Sequence, residues 1–191
     1  MKTIVIFDFD YTIAKTKERI WIWSPRGFLS HQNKKYIPIH PSELAKYELA
    51  DDEYIDDDSF KEFYDIDLNS IAVIEPIINF IKIHTQILSQ NIEILSARPQ
   101  CVKEKVLSVL QHNDIDISKV NYTGLANSSS QGKIDAIKKM IHKKNYQKML
   151  IYEDNKSVID LAKNCFSDNI ICEFIEVKHE RLSTNLIFYK G

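Results

Sequence analysis

Thr3-Ile4-Val5-Ile6-Phe7-Asp8-Phe9-Asp10-Tyr11-Thr12 is an apolar run that stops abruptly in acids. Continuous hydrophobicity over so short a span marks a strand buried on both faces, the kind found in parallel sheets. Such a strand delivers its polar residues at its carboxyl edge. Side chains alternate along a strand, so Asp8 and Asp10 share a direction while Phe9 faces the core. The two acids also cut the apolar run too short for the hydrophobic region of a signal peptide. No other segment approaches the ~20 apolar residues of a membrane span, and the expectation is a soluble, cytoplasmic protein.

Working outward from this strand, the text beyond residue 70 is regular. Ile74, Ile77, Ile78, Ile81 and Leu88 recur at helical spacing, followed by a strand at Ile92–Leu95. Val102, Val106, Val109 and Leu110 mark a helix, and Lys119–Tyr122 a strand. Ile134, Ile137 and Ile141 share a helix face ahead of a strand at Met149–Tyr152. Val158, Leu161 and Ala162 give another helix, and Asn169–Val177 a last core strand. Strands alternating with helices predict an α/β fold, a Rossmann-like parallel sheet with helices on both faces. Residues 1–12 and 71–191 form the expected core, and residues 13–70 a small cap or hairpin insertion after the first strand. A chain of 191 residues, 44% hydrophobic, suits one domain plus such an insertion. Cys101, Cys165 and Cys172 are odd in number and lack metal-ligand spacing, which fits a reducing compartment.

Within the insertion the helical and strand periods break down. Trp21-Ile22-Trp23 and Tyr36-Ile37-Pro38-Ile39 read as two strands of a hairpin, with Ser24-Pro25-Arg26-Gly27 as its turn. Pro41 opens a short helix. Net charge is −2, but it is unevenly spread: six basic residues face one acid between Lys15 and Lys35. From Glu43 to Asp67, eleven acids face two lysines. This asymmetry either orients a charged substrate or forms two solvated faces. The acidic stretch Asp51–Asp58 lacks the central glycine of a calcium loop, and that reading is rejected. Trp21 and Trp23 share one strand face, and either stack on a base or pack the hairpin onto a core.

The polar residues closing each strand carry the chemistry. The first strand ends in Asp8, Asp10 and Thr12, the second in Ser96 and Arg98, and Met149–Tyr152 in Glu153 and Asp154. Lys133 opens the helix before that last pair. Ligands of open parallel sheets bind beyond the carboxyl ends of the strands, so these residues converge on one crevice. Clustered carboxylates need a compensating cation, and an all-oxygen set points to a hard ion such as Mg²⁺. A metal-bound carboxylate beside a second one is a workable nucleophile and acid/base pair for phosphoryl transfer. Lys133 then holds the nucleophile and phosphoryl oxygens, and Ser96 donates to the same oxygens. The plainer readings are Ser96 as a helix cap, Lys133 as a surface lysine, Glu153 and Asp154 as first-turn acids, and Arg98 in a structural ion pair. Asp160 reads as an exposed helix residue.

These motifs together resemble the haloacid dehalogenase superfamily of aspartyl phosphatases. Asp8-Phe9-Asp10-Tyr11-Thr12 is similar to its first motif, Ile94-Leu95-Ser96-Ala97-Arg98 to its second, Lys133 to its third and Glu153-Asp154 to its fourth. All four fall in order over residues 3–162. The branch the chain looks nearest to is the phosphatase half of phage-type polynucleotide end-repair enzymes, from which Ser-Ala-Arg departs where Thr-Gly-Arg or Ser-Gly-Arg is frequent. The resemblance implies that Asp8 attacks phosphorus, and that Asp10 protonates the leaving oxygen and then activates water. It implies Mg²⁺ held by Asp8, the Asp10 backbone carbonyl and Asp154, with Glu153 helping through water. Thr12 would position Asp10, while Ser96 and Arg98 would serve the phosphate. The fourth motif carries Glu-Asp where Asp-Asp is common, so either acid is a candidate for direct contact.

The implied activity is a phosphomonoesterase acting on a phosphorylated substrate, with nucleotides or polynucleotide ends suggested by the branch and by the basic hairpin. The alternatives are a receiver-like phospho-accepting module and a binding protein that has lost activity. Receivers place their acceptor on a later strand than the first.

Overall fold

The computed structural model describes residues 2–44, 47–64, 66–68, 71–126, 129–166, 171–178 and 181–183. In chain order the strands and helices are β1 (Thr3–Phe7), β2 (Ala14–Lys15), β3 (Ile20–Trp23), β4 (Leu29–His31), β5 (Lys34–Ile39) and α1 (Pro41–Leu44). There follow β6 (Ala72–Val73), α2 (Glu75–Lys82), β7 (Ile92–Ser96), α3 (Lys103–Gln111), β8 (Val120–Gly124) and α4 (Ser130–Lys144). The chain ends through β9 (Lys148–Glu153), α5 (Lys156–Cys165), β10 (Ile171–Lys178) and β11 (Arg181–Ser183). Asn169, where the last core strand was expected to begin, lies outside the described residues, as do Lys46, Asp65, Ser70 and Ser128.

The chain divides into two compact units, Met1–Thr16 with Leu68–Gly191, and Lys17–Asp67. In the first unit the sheet order is β11-β10-β9-β1-β7-β8. Strands β10, β9, β1, β7 and β8 run parallel, and β11 pairs antiparallel at the edge. The expected α/β class is therefore the observed one. Because β7 lies on one side of β1 and β9 on the other, the strand order reverses at β1. That is where a parallel sheet opens a crevice at its carboxyl ends.

Alternation along β1 splits its side chains between two layers. Ile4 and Ile6 join Leu95, Met149, Ile151 and Phe174 beneath Ile134 and Ile137 of α4 and Val158, Ile159 and Ala162 of α5. On the opposite face Phe7 stacks on Tyr152, with ring centroids 4.3 Å apart, and Phe80 of α2 packs on the same ring. Ile77, Ile78 and Ile81 of α2 are buried as their spacing predicts. Leu88 is not, being 52% exposed. The helix passes into a π-helical turn over Ile83–Ile87, and the extra residue per turn rotates Leu88 off the apolar face.

In the second unit, β5 is the centre of a three-stranded antiparallel sheet, β3-β5-β4. Trp21–Trp23 does pair with Tyr36–Ile39, but the two are not joined by a simple hairpin. The Ser24–Gly27 turn leads into β4 instead, and the tight reversal comes at Gln32 and Asn33. Both residues have positive φ, 49° and 64°, as a two-residue hairpin loop matching strand twist demands. Gly27 lies against Tyr36, where a Cβ would approach the Tyr36 nitrogen to 2.4 Å.

One face of this sheet builds a small core from Ile20, Ile22 and Ile39 with Phe60 and Phe63. The other carries an aromatic stack: Trp21 lies parallel to Tyr36 at 3.9 Å and edge-on to Trp23. The indole N–H groups donate to Glu62 and Asp56 at 2.6 and 2.7 Å. Trp21 and Trp23 are 7% and 2% exposed, so they pack the insertion and offer no surface on which a base could stack. Part of the acidic run is likewise structural. Glu53 accepts hydrogen bonds from Ser24, Tyr47 and the Ala50 N–H and pairs with Arg26.

Candidate functional site

Asp8 directly follows β1, and its N–H donates to the Tyr152 carbonyl at 3.0 Å, extending the ladder with β9 by one residue. That register sets Asp8 beside Glu153 and Asp154 at the end of β9. One carboxylate oxygen from each of Asp8, Glu153 and Asp154 lies within 4.8 Å of the others, enough to hold a metal ion. Lys133, in the first turn of α4, reaches the same place. Its ammonium donates to Asp8 Oδ1 at 2.7 Å and to Glu153 Oε2 at 2.8 Å. Ser129 caps α4 by accepting the Gly132 N–H, which fixes the turn from which Lys133 extends.

The electrostatics follow from burial. Asp8 and Asp154 are each pushed up to about 7, Asp8 by burial and then Glu153, Asp154 by burial and then Asp8. Glu153 is also raised, by burial against the pull of Lys133. Burial works to lower Lys133, but Asp8 and Glu153 more than offset it and hold the ammonium charged. Three carboxylates against one ammonium leave two negative charges uncompensated when all are ionised. An oxygen-only donor set with that deficit fits a divalent cation.

The remaining predicted residues divide into two groups. Thr12, fully buried, turns its hydroxyl to Asp154 Oδ1 at 3.3 Å and so belongs with the acid cluster. Asp10 is engaged by Arg98. The Arg98 guanidinium, 1% exposed, sends Nη2 to Asp10 Oδ1 at 2.7 Å and Nε to both Asp10 oxygens at 3.1 and 3.0 Å. It also lies 5.7 Å from the centre of the Phe9 ring. The hydroxyl of Ser96, fully buried, accepts the Arg98 N–H at 3.1 Å and thereby shapes the turn beyond β7. Arg98 is thus in an ion pair in this structure. Asp160 is exposed and paired with Lys156 on the surface of α5.

One contact was missed in the sequence: Thr16 donates to Asp10 Oδ1 at 3.0 Å, the role expected of Thr12. The available signal was alternation, since buried Ala14 and Thr16 alternate with the less buried Lys15 and Lys17. Comparison of the chain with protein-family models, curated proteins and solved structures finds no match. Among the described residues, no helix is long and apolar enough to cross a membrane. Cys101, Cys165 and Cys172 are all thiols.

Proposed function

We propose that this chain is a magnesium-dependent phosphomonoesterase with Asp8 as its nucleophile. The observation that carries the reading is the buried Lys133 ammonium bridging Asp8 and Glu153 beside Asp154, at the point where the strand order reverses. A carboxylate kept beside a fixed ammonium and a cation site is suited to attack an anionic phosphoryl group that the same charges draw in. Both oxygens of Glu153 already accept hydrogen bonds, from Lys133 and from the Asn155 N–H. That favours Asp8 and Asp154 as the direct metal ligands, with Glu153 orienting Lys133. Magnesium bound there would neutralise the carboxylates and withdraw electron density from the phosphoryl oxygens.

In the proposed reaction an Asp8 oxygen bonds to phosphorus as the ester P–O bond breaks. The electron pair leaves with the ester oxygen, which takes a proton from Asp10. Asp10 then removes a proton from water, whose oxygen bonds to phosphorus. The P–O bond to Asp8 breaks, its electron pair returns to the carboxylate, and inorganic phosphate departs. A second acid two residues from the acceptor favours turnover over the phosphate storage of a receiver domain. With Trp21 and Trp23 buried, the expectation of a nucleotide or polynucleotide end rests on the motif resemblance and the basic residues at positions 26, 34 and 35.

The test is phosphate release from p-nitrophenyl phosphate, nucleoside monophosphates and 3′- and 5′-phosphorylated oligonucleotides, with Mg²⁺ or EDTA. Release is expected only with metal and is expected to fall to background in Asp8→Asn. An active Asp8→Asn protein would overturn the assignment of the nucleophile.

A further inference from the structure

Thr16 lies just beyond the short ladder in which β2 pairs with β6. It is buried, and its hydroxyl is spent on a single partner of chemical interest, Asp10 Oδ1. That oxygen also takes Arg98 Nη2 at 2.7 Å and a share of Nε at 3.1 Å, whereas among the described residues Oδ2 takes the other share of Nε at 3.0 Å. A carboxylate oxygen offers two lone pairs: Thr16 and Nη2 take both on Oδ1, while the one shared Nε proton leaves Oδ2 a lone pair at which a proton can be exchanged. Thr16 is itself held in place. Tyr11 adopts φ 60°, rare outside glycine, donates its N–H to the Ala14 carbonyl at 2.8 Å and its hydroxyl to the Thr16 carbonyl at 3.1 Å. The segment from Asp10 to Thr16 is therefore a loop closed on itself, with Asp10 at one end and the side chain that orients it at the other.

We propose that Thr16 is a positioning residue: through its bond to Oδ1 it fixes the rotation of the Asp10 carboxylate, so that Oδ2 is the oxygen that delivers the proton to the leaving group. This rests on the phosphatase reading above. Arg98 reaches both oxygens of the same carboxylate through its guanidinium fork. The Thr16 hydroxyl breaks that symmetry.

The experiment compares Thr16→Val with Thr16→Ser and Tyr11→Phe on two substrates. A nucleoside monophosphate leaves as an alkoxide and needs the proton, while p-nitrophenyl phosphate leaves as a stable phenolate and does not. The quantity read is kcat/KM, which reports the steps up to departure of the leaving group. Thr16→Val is expected to lower it about 10- to 100-fold for the nucleotide and less than about threefold for the aryl ester. Thr16→Ser should restore the nucleotide rate, and Tyr11→Phe should show a smaller loss of the same selectivity. Melting curves with and without Mg²⁺ identify a variant that fails to fold. In that event Tyr11→Phe decides, with selective loss supporting the role and uniform loss overturning it. Equal losses on both substrates in a folded Thr16→Val protein would overturn the role of Thr16 alone. A phosphorylated oligonucleotide, which also leaves as an alkoxide, replaces the nucleoside monophosphate where only it is hydrolysed. A wild-type protein that releases phosphate from none of p-nitrophenyl phosphate, nucleoside monophosphates and phosphorylated oligonucleotides would overturn the phosphatase reading and this inference with it.

Discussion

Lys133 is the residue on which the charge balance of the site depends. Its side chain is buried between Asp8 and Glu153, and removing one partner of a buried pair leaves charge with no compensation. Lys133→Met is expected to destabilise the metal-free protein by about 3–5 kcal/mol at neutral pH, read from urea unfolding. The loss should shrink at pH 5, where the raised carboxyls of Asp8 and Asp154 take up protons instead. Turnover should fall together with that of Asp8→Asn. A variant as stable as the parent at pH 7 would mean that the ammonium is not what compensates the carboxylates. The identity of this lysine was legible because it opens a helix just before an acidic strand end. Its partner Asp8 was expected as the residue it would hold, whereas Glu153 was legible only as a neighbour in the crevice, since the sequence does not show which further oxygens an ammonium will meet.

At the scale of elements, the turn after β7 is pinned to the end of β8. Gly124 closes β8 directly beneath residues 98–100, where a Cβ would lie 2.5 Å from the Pro99 carbonyl carbon and 2.7 Å from the Arg98 oxygen. Backbone cannot yield as a flexible side chain can. Gly124→Ala is expected to cost about 1–3 kcal/mol, read from thermal unfolding, and to reduce turnover by displacing Arg98 from Asp10. Unchanged stability together with unchanged turnover would show that the turn accommodates the methyl group. This contact has no counterpart in the sequence pattern. The same holds for β4, whose exposed Leu29 and Ser30 and half-buried His31 carry no strand period and become a strand because β5 offers a free edge. The π-helical turn at Ile83–Ile87 is also invisible in a sequence whose isoleucines continue at helical spacing.

Across the whole molecule, the buried carboxylates make stability depend on pH and on metal together. Asp8 and Asp154 rise from an ordinary 3.8 to about 7 on folding. A raised acid contributes stability that is fully present below its unfolded value and lost as pH rises through its folded value. Glu153, also raised, acts with the same sign. Lys133, raised above its ordinary 10.5, keeps its contribution throughout this window. The metal-free protein should therefore lose melting temperature between pH 5 and pH 8. A cation replaces the protons, so Mg²⁺ should raise the melting temperature at pH 8 and have little effect at pH 5. Scanning calorimetry at the two pH values tests this, and a larger Mg²⁺ effect at pH 5 would contradict it.

What the sequence determined by itself was the class of fold and which polar residues close its strands. Hydrophobic period and strand-end polarity are local properties, and the alternation of buried strands with amphipathic helices leaves few topologies that cover a parallel sheet. Only the tertiary structure decided how those residues are divided. Setting β1 between β7 and β9 brings Lys133 to Asp8 across 125 positions of sequence and Arg98 to Asp10 across 88. It gives Thr12 to Asp154, and within the insertion the pairing of β3 with β5 and the partners Glu62 and Asp56 turn Trp21 and Trp23 inward. Those assignments depend on strand register and on which lone pairs are already taken, and both are set only when distant segments meet.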